Sequence, residues 1–103
     1  MTTTTRRTIE SPKYQGVDEQ IAYTLTTTPW GSSPTSVSVA IKQLPALTDT
    51  SATNLSGSAG VAGDVITMPL VKSLVADTQY RLEIKFTCSG NIFEAWSYIN
   101  GEV

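Results

Sequence analysis

The stretch SLVADTQYRLEIKF, residues 73–86, does most to limit what this chain can become. Tyr80, Leu82, Ile84 and Phe86 alternate with Arg81, Glu83 and Lys85. Successive side chains of a strand point to opposite faces, so this alternation gives one apolar face and one charged face. A helix would scatter the same residues around its circumference. The chain is therefore expected to build a sheet with one dry side, and a second layer is needed to cover it.

The same period of two recurs elsewhere. In QIAYTLTTT, residues 20–28, Ile21, Tyr23 and Leu25 share a face opposite Ala22, Thr24 and Thr26. In TSVSVAIKQL, Val37, Val39 and Ile41 oppose Ser36, Ser38, Ala40 and Lys42. IESPKYQ, residues 9–15, reads as a short edge strand broken by Pro12. DVITMPL, residues 64–70, reads as a strand ended by Pro69, and NIFEAWSYI, residues 91–99, as the last strand, joined to its predecessor by the turn CSGN. Residues 45–63 are small and weakly patterned, which suggests one or two short edge strands between glycine turns. No apolar 3.6-residue period runs for ten residues, so helix is hardly expected. About seven short strands with turns between them spell an all-β antiparallel sandwich, and the chain's 103 residues suffice for one such core. The expected division is a polar arm at residues 1–8 and a single β-sandwich domain over residues 9–103.

Ahead of the charged strand, Leu74, Ala76, Thr78 and Tyr80 stand two apart. This resembles the fibronectin type III spacing of Leu, Pro, Thr and Tyr, with Ala76 where that family has Pro. The resemblance implies an immunoglobulin-like fold with a tyrosine corner built from Leu74, Thr78 and Tyr80. In such a corner the hydroxyl bonds back to backbone a few residues upstream.

Composition narrows the chemistry. Charged residues make up only 16% of the chain, below the ~25% of ordinary globular domains. Thr and Ser fill the gap, which suits pleated surface and also a surface covered by neighbouring subunits. Net charge is −2 and the seven basic residues are scattered, so no nucleic-acid partner is expected. The chain has no histidine, which removes histidine-dependent triads and the usual Cys/His zinc sites. Cys88 is the one cysteine, read as a buried strand residue, so no internal disulfide forms. The nine carboxylates show no spacing for paired acid–base work, and Asp18, Glu19 and Asp64 are expected to serve turns. Gly57, Gly60 and Gly63 lack the lysine of a phosphate loop. The expectation is a protein with no catalytic, cofactor or metal residues. No apolar run of ~18 residues exists, and MTTTTRRTIESPK lacks the apolar centre of a secretory signal, so synthesis in a cytoplasm and no membrane partner are expected.

The candidate interaction surface is the arm residues Thr2, Thr3, Thr4, Thr5, Arg6 and Arg7 with the aromatics Trp30, Trp96 and Tyr98. If Phe93 and Ala95 face inward, Trp96 and Tyr98 face outward with Ile92 and Glu94; Tyr14 is a further candidate. The opposite assignment makes Trp96 a core aromatic. The segment VDEQIAYTLTTTPWGSSPTSVSVAIKQL, with Leu55-Ser56-Gly57 and the Asp77–Leu82 strand after it, resembles small tailed-bacteriophage virion proteins of the fibre–tail adaptor kind. The likeness runs over residues 17–99, with Asp77 where a glycine would be usual. It implies an immunoglobulin-like module of a virion, at the head–tail junction or tail or decorating its surface, made in a bacterial cytoplasm. Copies of the chain and other virion proteins would be its partners. The alternative from the aromatics is a carbohydrate- or cell-surface-binding module, with Trp30, Trp96 and Tyr98 stacking on sugars.

Overall fold

A computed structural model describes residues 13–103; the arm at residues 1–8, including Thr2–Arg7, and Ile9–Pro12 of the expected first strand lie outside the described residues. The described chain is a sandwich of two sheets. Nine strands were found where about seven were expected: β1 (Lys13–Gly16), β2 (Ile21–Thr26), β3 (Thr35–Gln43), β4 (Thr48–Asp49), β5 (Leu55–Ser56), β6 (Gly60–Ala62), β7 (Val65–Val71), β8 (Gln79–Cys88) and β9 (Asn91–Glu102). The surplus comes from residues 45–63, which hold three very short strands and one helical turn, α1 (Ser51–Asn54). Segments of two or three residues carry no readable periodicity.

One sheet runs β1-β9-β8-β3-β4 and the other β2-β7-β5, with β6 also paired to β7. The cores of these orders, β2-β7-β5 and β9-β8-β3, follow the immunoglobulin-like arrangement of two packed Greek-key sheets. One pair departs from the antiparallel expectation: β1 runs parallel to β9, Lys13 opposite Ile99 through Gly16 opposite Glu102.

The core forms where the inner faces meet. Leu25, Ile66, Met68 and Val71 come from one sheet, and Ile41, Tyr80, Leu82, Ile84, Phe86, Ala95 and Ile99 from the other. In β3, β8 and β9 these residues stand at even spacings along their strands, as the period of two requires, whereas Val71 is out of step with Ile66 and Met68. Cys88 joins them as a buried thiol.

Pro69 does not end its strand, contrary to expectation. The pairing of β2 with β7 goes from Ala22–Leu70 to Thr24–Thr67, so β7 holds one extra residue there. A bulge leaves a residue outside the ladder, and a proline, having no N–H to donate, fits at such a site. A second bulge lies in β3, where Thr35 faces Thr87 and Ser38 faces Lys85. Ser36 inside it has φ 52°.

The Tyr80 hydroxyl accepts a hydrogen bond from the Val75 backbone N–H at 2.9 Å, five residues upstream. Tyr80 and Leu74 are both buried, and the Thr78 hydroxyl donates to the Ala76 carbonyl at 3.3 Å. The corner also docks on β9. Asp77 N–H donates to the Gly101 carbonyl at 2.9 Å, and Gly101 N–H to the Thr78 carbonyl at 2.8 Å. A Cβ at Gly101 would lie 2.3 Å from the Val75 carbonyl oxygen, so only glycine admits this approach.

A second tie joins the sheets at β1. Gln15 is fully buried, and its amide donates to the carbonyls of Val71 at 2.7 Å and Glu19 at 3.0 Å. Its oxygen accepts from the Tyr23 hydroxyl at 2.8 Å. Every polar atom of that side chain is used, as burial of an amide requires. Asn54 acts similarly under the β7–β8 connection, donating to the carbonyls of Lys72 and Ser73 at 3.0 and 3.1 Å.

Candidate functional site

The candidate aromatics separate. β9 takes the first of the two assignments open to it, with Phe93, Ala95, Ser97 and Ile99 inward and Ile92, Glu94, Trp96 and Tyr98 outward. Trp96 is thus not a core aromatic. Trp30 is half-buried: it packs against the core and meets Phe86 at 5.7 Å between ring centroids. The PWGSSP loop folds it over the end of the sandwich, with Thr27 beneath donating to the Gly31 carbonyl at 3.0 Å. Trp30 therefore does not share a surface with Trp96 and Tyr98. Tyr14 does, because it stands opposite Asn100 on the outward side of β9 and is 61% exposed.

The outer face of the β1-β9-β8-β3-β4 sheet can be read from register as cross-strand rows. Ser38, Lys85 and Glu94 form one row; Ala40, Glu83 and Trp96 the next; Lys42, Arg81 and Tyr98 the third. Glu83 lies at the centre. Its carboxylate accepts from Arg81 Nε at 2.6 Å and pairs with Lys42 Nζ at 3.1 Å. The Arg81 guanidinium lies over the Trp96 ring, 5.1 Å from its centroid. Partly exposed ion pairs of this kind hold geometry more than they add stability. A hollow of about 450 Å³ opens in this face, bounded by Ala40, Glu83, Lys85 and Trp96 among others.

The outer face of the other sheet has a different character. Its rows are Thr26, Val65 and Ala62; Thr24, Thr67 and Gly60; and Ala22, Leu70 and Ser56. All nine positions are exposed and none is charged.

The carboxylates expected at turns are found there. Glu19 accepts from Gly16 N–H at 2.7 Å, closing the β1–β2 turn. Asp64 accepts from the Thr28 hydroxyl and from Ser33 N–H, both at 3.2 Å, which ties the Trp30 loop to the start of β7. Asp49 accepts from Ser51 N–H at 2.9 Å; hydrogen bonding from the Ser51 side chain and then its backbone, with the nearby Lys42 charge, holds the Asp49 carboxyl below the ordinary range. Burial, and then the Glu19 charge, push the Tyr23 hydroxyl above its ordinary value. Among the described residues no group of three or more Cys, Asp or Glu is placed to hold a metal ion, and no helix is long and apolar enough to cross a membrane.

Sequence reasoning missed Gln15 and Gly101. Nothing around KYQG marks its glutamine as buried, and Gly101 near the last strand's end reads as an ordinary turn residue. No family model, curated protein or solved structure matches this chain.

Proposed function

We propose that this protein is a non-enzymatic structural component of a tailed-phage virion, acting through symmetric protein–protein contacts. The observation that carries the contact role is the uncharged outer face around β7. Nine exposed positions in three aligned rows present Thr, Ser, Ala, Gly, Val and Leu. A solvated face of a small domain ordinarily mixes in charges at a quarter or more of its positions. Depletion of charge marks the centre of protein interfaces. The two bound crossovers, at Tyr80 and Gln15, support the idea of a rigid spacer whose faces keep fixed positions relative to each other. The placement in a virion, at the neck or tail or on the surface, rests on the likeness of residues 17–99 to fibre–tail adaptor proteins. Copies of this chain and other virion proteins are the partners in this reading.

Size-exclusion chromatography with light scattering, on the protein alone and mixed with virion proteins, tests it. The expected result is a higher oligomer or a co-eluting complex, lost in Thr67→Glu, which puts a charge at the centre of the uncharged face. A strict monomer that is also missing from purified particles overturns the proposal. The carbohydrate-binding alternative needs Trp30 beside Trp96 and Tyr98, and Trp30 instead packs half-buried against the core.

A further inference from the structure

The uncharged outer face around β7 has a relief as well as a composition. Thr24 and Thr26 rise on its β2 side, Gly60 and Ala62 lie low on its β6 side, and Thr67 stands between them. The bulge at Pro69 shifts the alternation of β7 by one residue, so Leu70 is exposed and Pro69 is buried. A Cβ built at Gly60 has nothing within 4 Å, so the low side is open space. The face is therefore high along one edge and low along the other.

A charged partner finds nothing here to pair with. The complement of this face is a surface that is itself uncharged, bears hydroxyls, and is low where this one is high. The face meets those terms itself. A threonine hydroxyl both donates and accepts, so it is complementary to its own kind. A two-fold axis running along β7, between two facing copies, lays β2 of each over β6 of the other. Thr24 then meets the open space above Gly60, Thr26 meets Ala62, and Thr67 meets its own counterpart on the axis. Two chains of net charge −2 also repel least when joined here. The opposite outer face carries Lys42, Arg81, Glu83, Lys85 and Glu94, and would set like charge against like.

We propose that this face binds a second copy of the chain, face to face across a two-fold axis at Thr67. The inference rests on the scaffold reading of the face and names what covers it. A contact of this kind uses the same patch on both copies, so it closes at two and does not grow into a filament. Three columns about five residues long, at strand spacings of ~4.8 Å and ~3.3 Å per residue, cover roughly 300 Å² per copy. Stable interfaces bury about 800 Å² per partner. The pair is therefore weak in isolation, and it persists where further contacts already hold the copies together.

The test is sedimentation equilibrium of the full chain from micromolar to millimolar concentration, with amide NMR shifts followed over the same range. The expected result is a monomer–dimer equilibrium with a dissociation constant below one millimolar, and shifts centred on Thr24, Gly60 and Thr67. Thr67→Glu and Thr67→Lys each weaken pairing at least tenfold, because each sets like charges together on the axis. An equimolar mixture of the two variants pairs at least as tightly as the unaltered chain. Gly60→Phe fills the space that Thr24 of the other copy enters, and it also weakens pairing at least tenfold. Its backbone is not left-handed and its Cβ meets nothing, so this variant folds and decides the matter if the charged ones do not. Ser38→Gln, on the other sheet, leaves pairing unchanged. The proposal is overturned by a chain that stays monomeric at millimolar concentration, by pairing that survives Gly60→Phe, by a mixture of the Glu and Lys variants that stays monomeric, or by growth beyond two copies. A monomeric chain that co-elutes with a virion protein, and loses it in Thr67→Glu, overturns the second copy and leaves the scaffold reading standing. Pairing by a chain missing from purified particles supports the two-fold contact and counts against the virion placement.

Discussion

The two sheets are tied together at two places, and the ties are made differently. At the corner, Tyr80 reaches back five residues along its own chain to the Val75 N–H. At the clasp, Gln15 on β1 reaches Val71, 56 residues away, and also holds Tyr23 of β2. The corner uses one hydroxyl beside a partly exposed turn, where Val75 is 58% exposed. The clasp uses a whole amide that is completely buried. A tie near the surface lets water replace a lost partner; a tie inside the sandwich does not. The difference therefore predicts a ranking, with steric support of the corner first, the clasp second and the corner hydrogen bond third.

The largest effect is expected at Gly101→Ala. The added Cβ meets a backbone oxygen, Val75 O, at 2.3 Å, and backbone cannot swing aside as a side-chain tip can. Separating β9 from residues 74–78 also strains the hydrogen bonds that join Gly101 to Asp77 and Thr78. A loss of about 3–4 kcal/mol is expected by chemical denaturation, at the upper end of single substitutions. A loss under about 1 kcal/mol would mean that the corner is not pressed against β9.

Gln15→Leu comes next. It leaves the buried Val71 carbonyl and the half-buried Tyr23 hydroxyl without their partner, for a loss of about 2–3 kcal/mol. The clasp also has a pH signature. The Tyr23 hydroxyl titrates above its ordinary value of 10.0, chiefly through burial and then through the Glu19 charge. A raised pKa means that its contribution is fully present below pH 10 and is lost as pH rises through the folded value. Melting temperature should thus fall in strong alkali, and Tyr23→Phe should flatten that fall. An unchanged alkaline profile in Tyr23→Phe would remove Tyr23 from the clasp.

These contrasts explain what could be read in advance. The corner was legible because it is local: Leu74, Thr78 and Tyr80 hold fixed spacings that one strand and one turn impose. The faces of β2, β3 and β8 were legible because each runs for six or more residues, long enough for alternation to register; in β9 the alternation was legible, but which of its faces turned inward was left open. The clasp was not legible, because a glutamine in a short polar strand looks the same whether solvated or buried, and its partners lie far off in sequence. The packing of Trp30 was not legible for a related reason. A loop has no period to say which way its side chains face, and tertiary packing on Phe86 decided it. Pro69 was read as a stop because no local signal announces a bulge. The uncharged face of the second sheet was only half visible; Ala22, Thr24 and Thr26 showed one column, while β6 and the far side of the bulge supplied the others.

Tyr80→Phe is expected to cost about 1 kcal/mol, since the stranded Val75 N–H sits where water can reach it. Partner choice should be unaffected, because the hydroxyl points to the corner and to neither outer face. A loss as large as that of Gln15→Leu would erase the distinction between the two ties.

The smallest effect sharpens the corner further and has the opposite sign. Asp77 holds φ 60°, a left-handed conformation in which a side chain is crowded against the following carbonyl. Glycine is the residue for which that conformation is unstrained. Only the backbone of Asp77 is used, through its N–H to Gly101. Asp77→Gly relieves crowding in the folded chain but adds freedom to the unfolded one, an opposing effect of ~0.4–1 kcal/mol. The net expectation is a gain of about 0.5 kcal/mol or less. Asp77→Val is the sharper half of the test, because a β-branched residue is a poor fit at positive φ and should lose 1 kcal/mol or more. If glycine and valine change the melting temperature in the same direction by similar amounts, left-handed backbone at residue 77 is not what lets the corner turn onto β9.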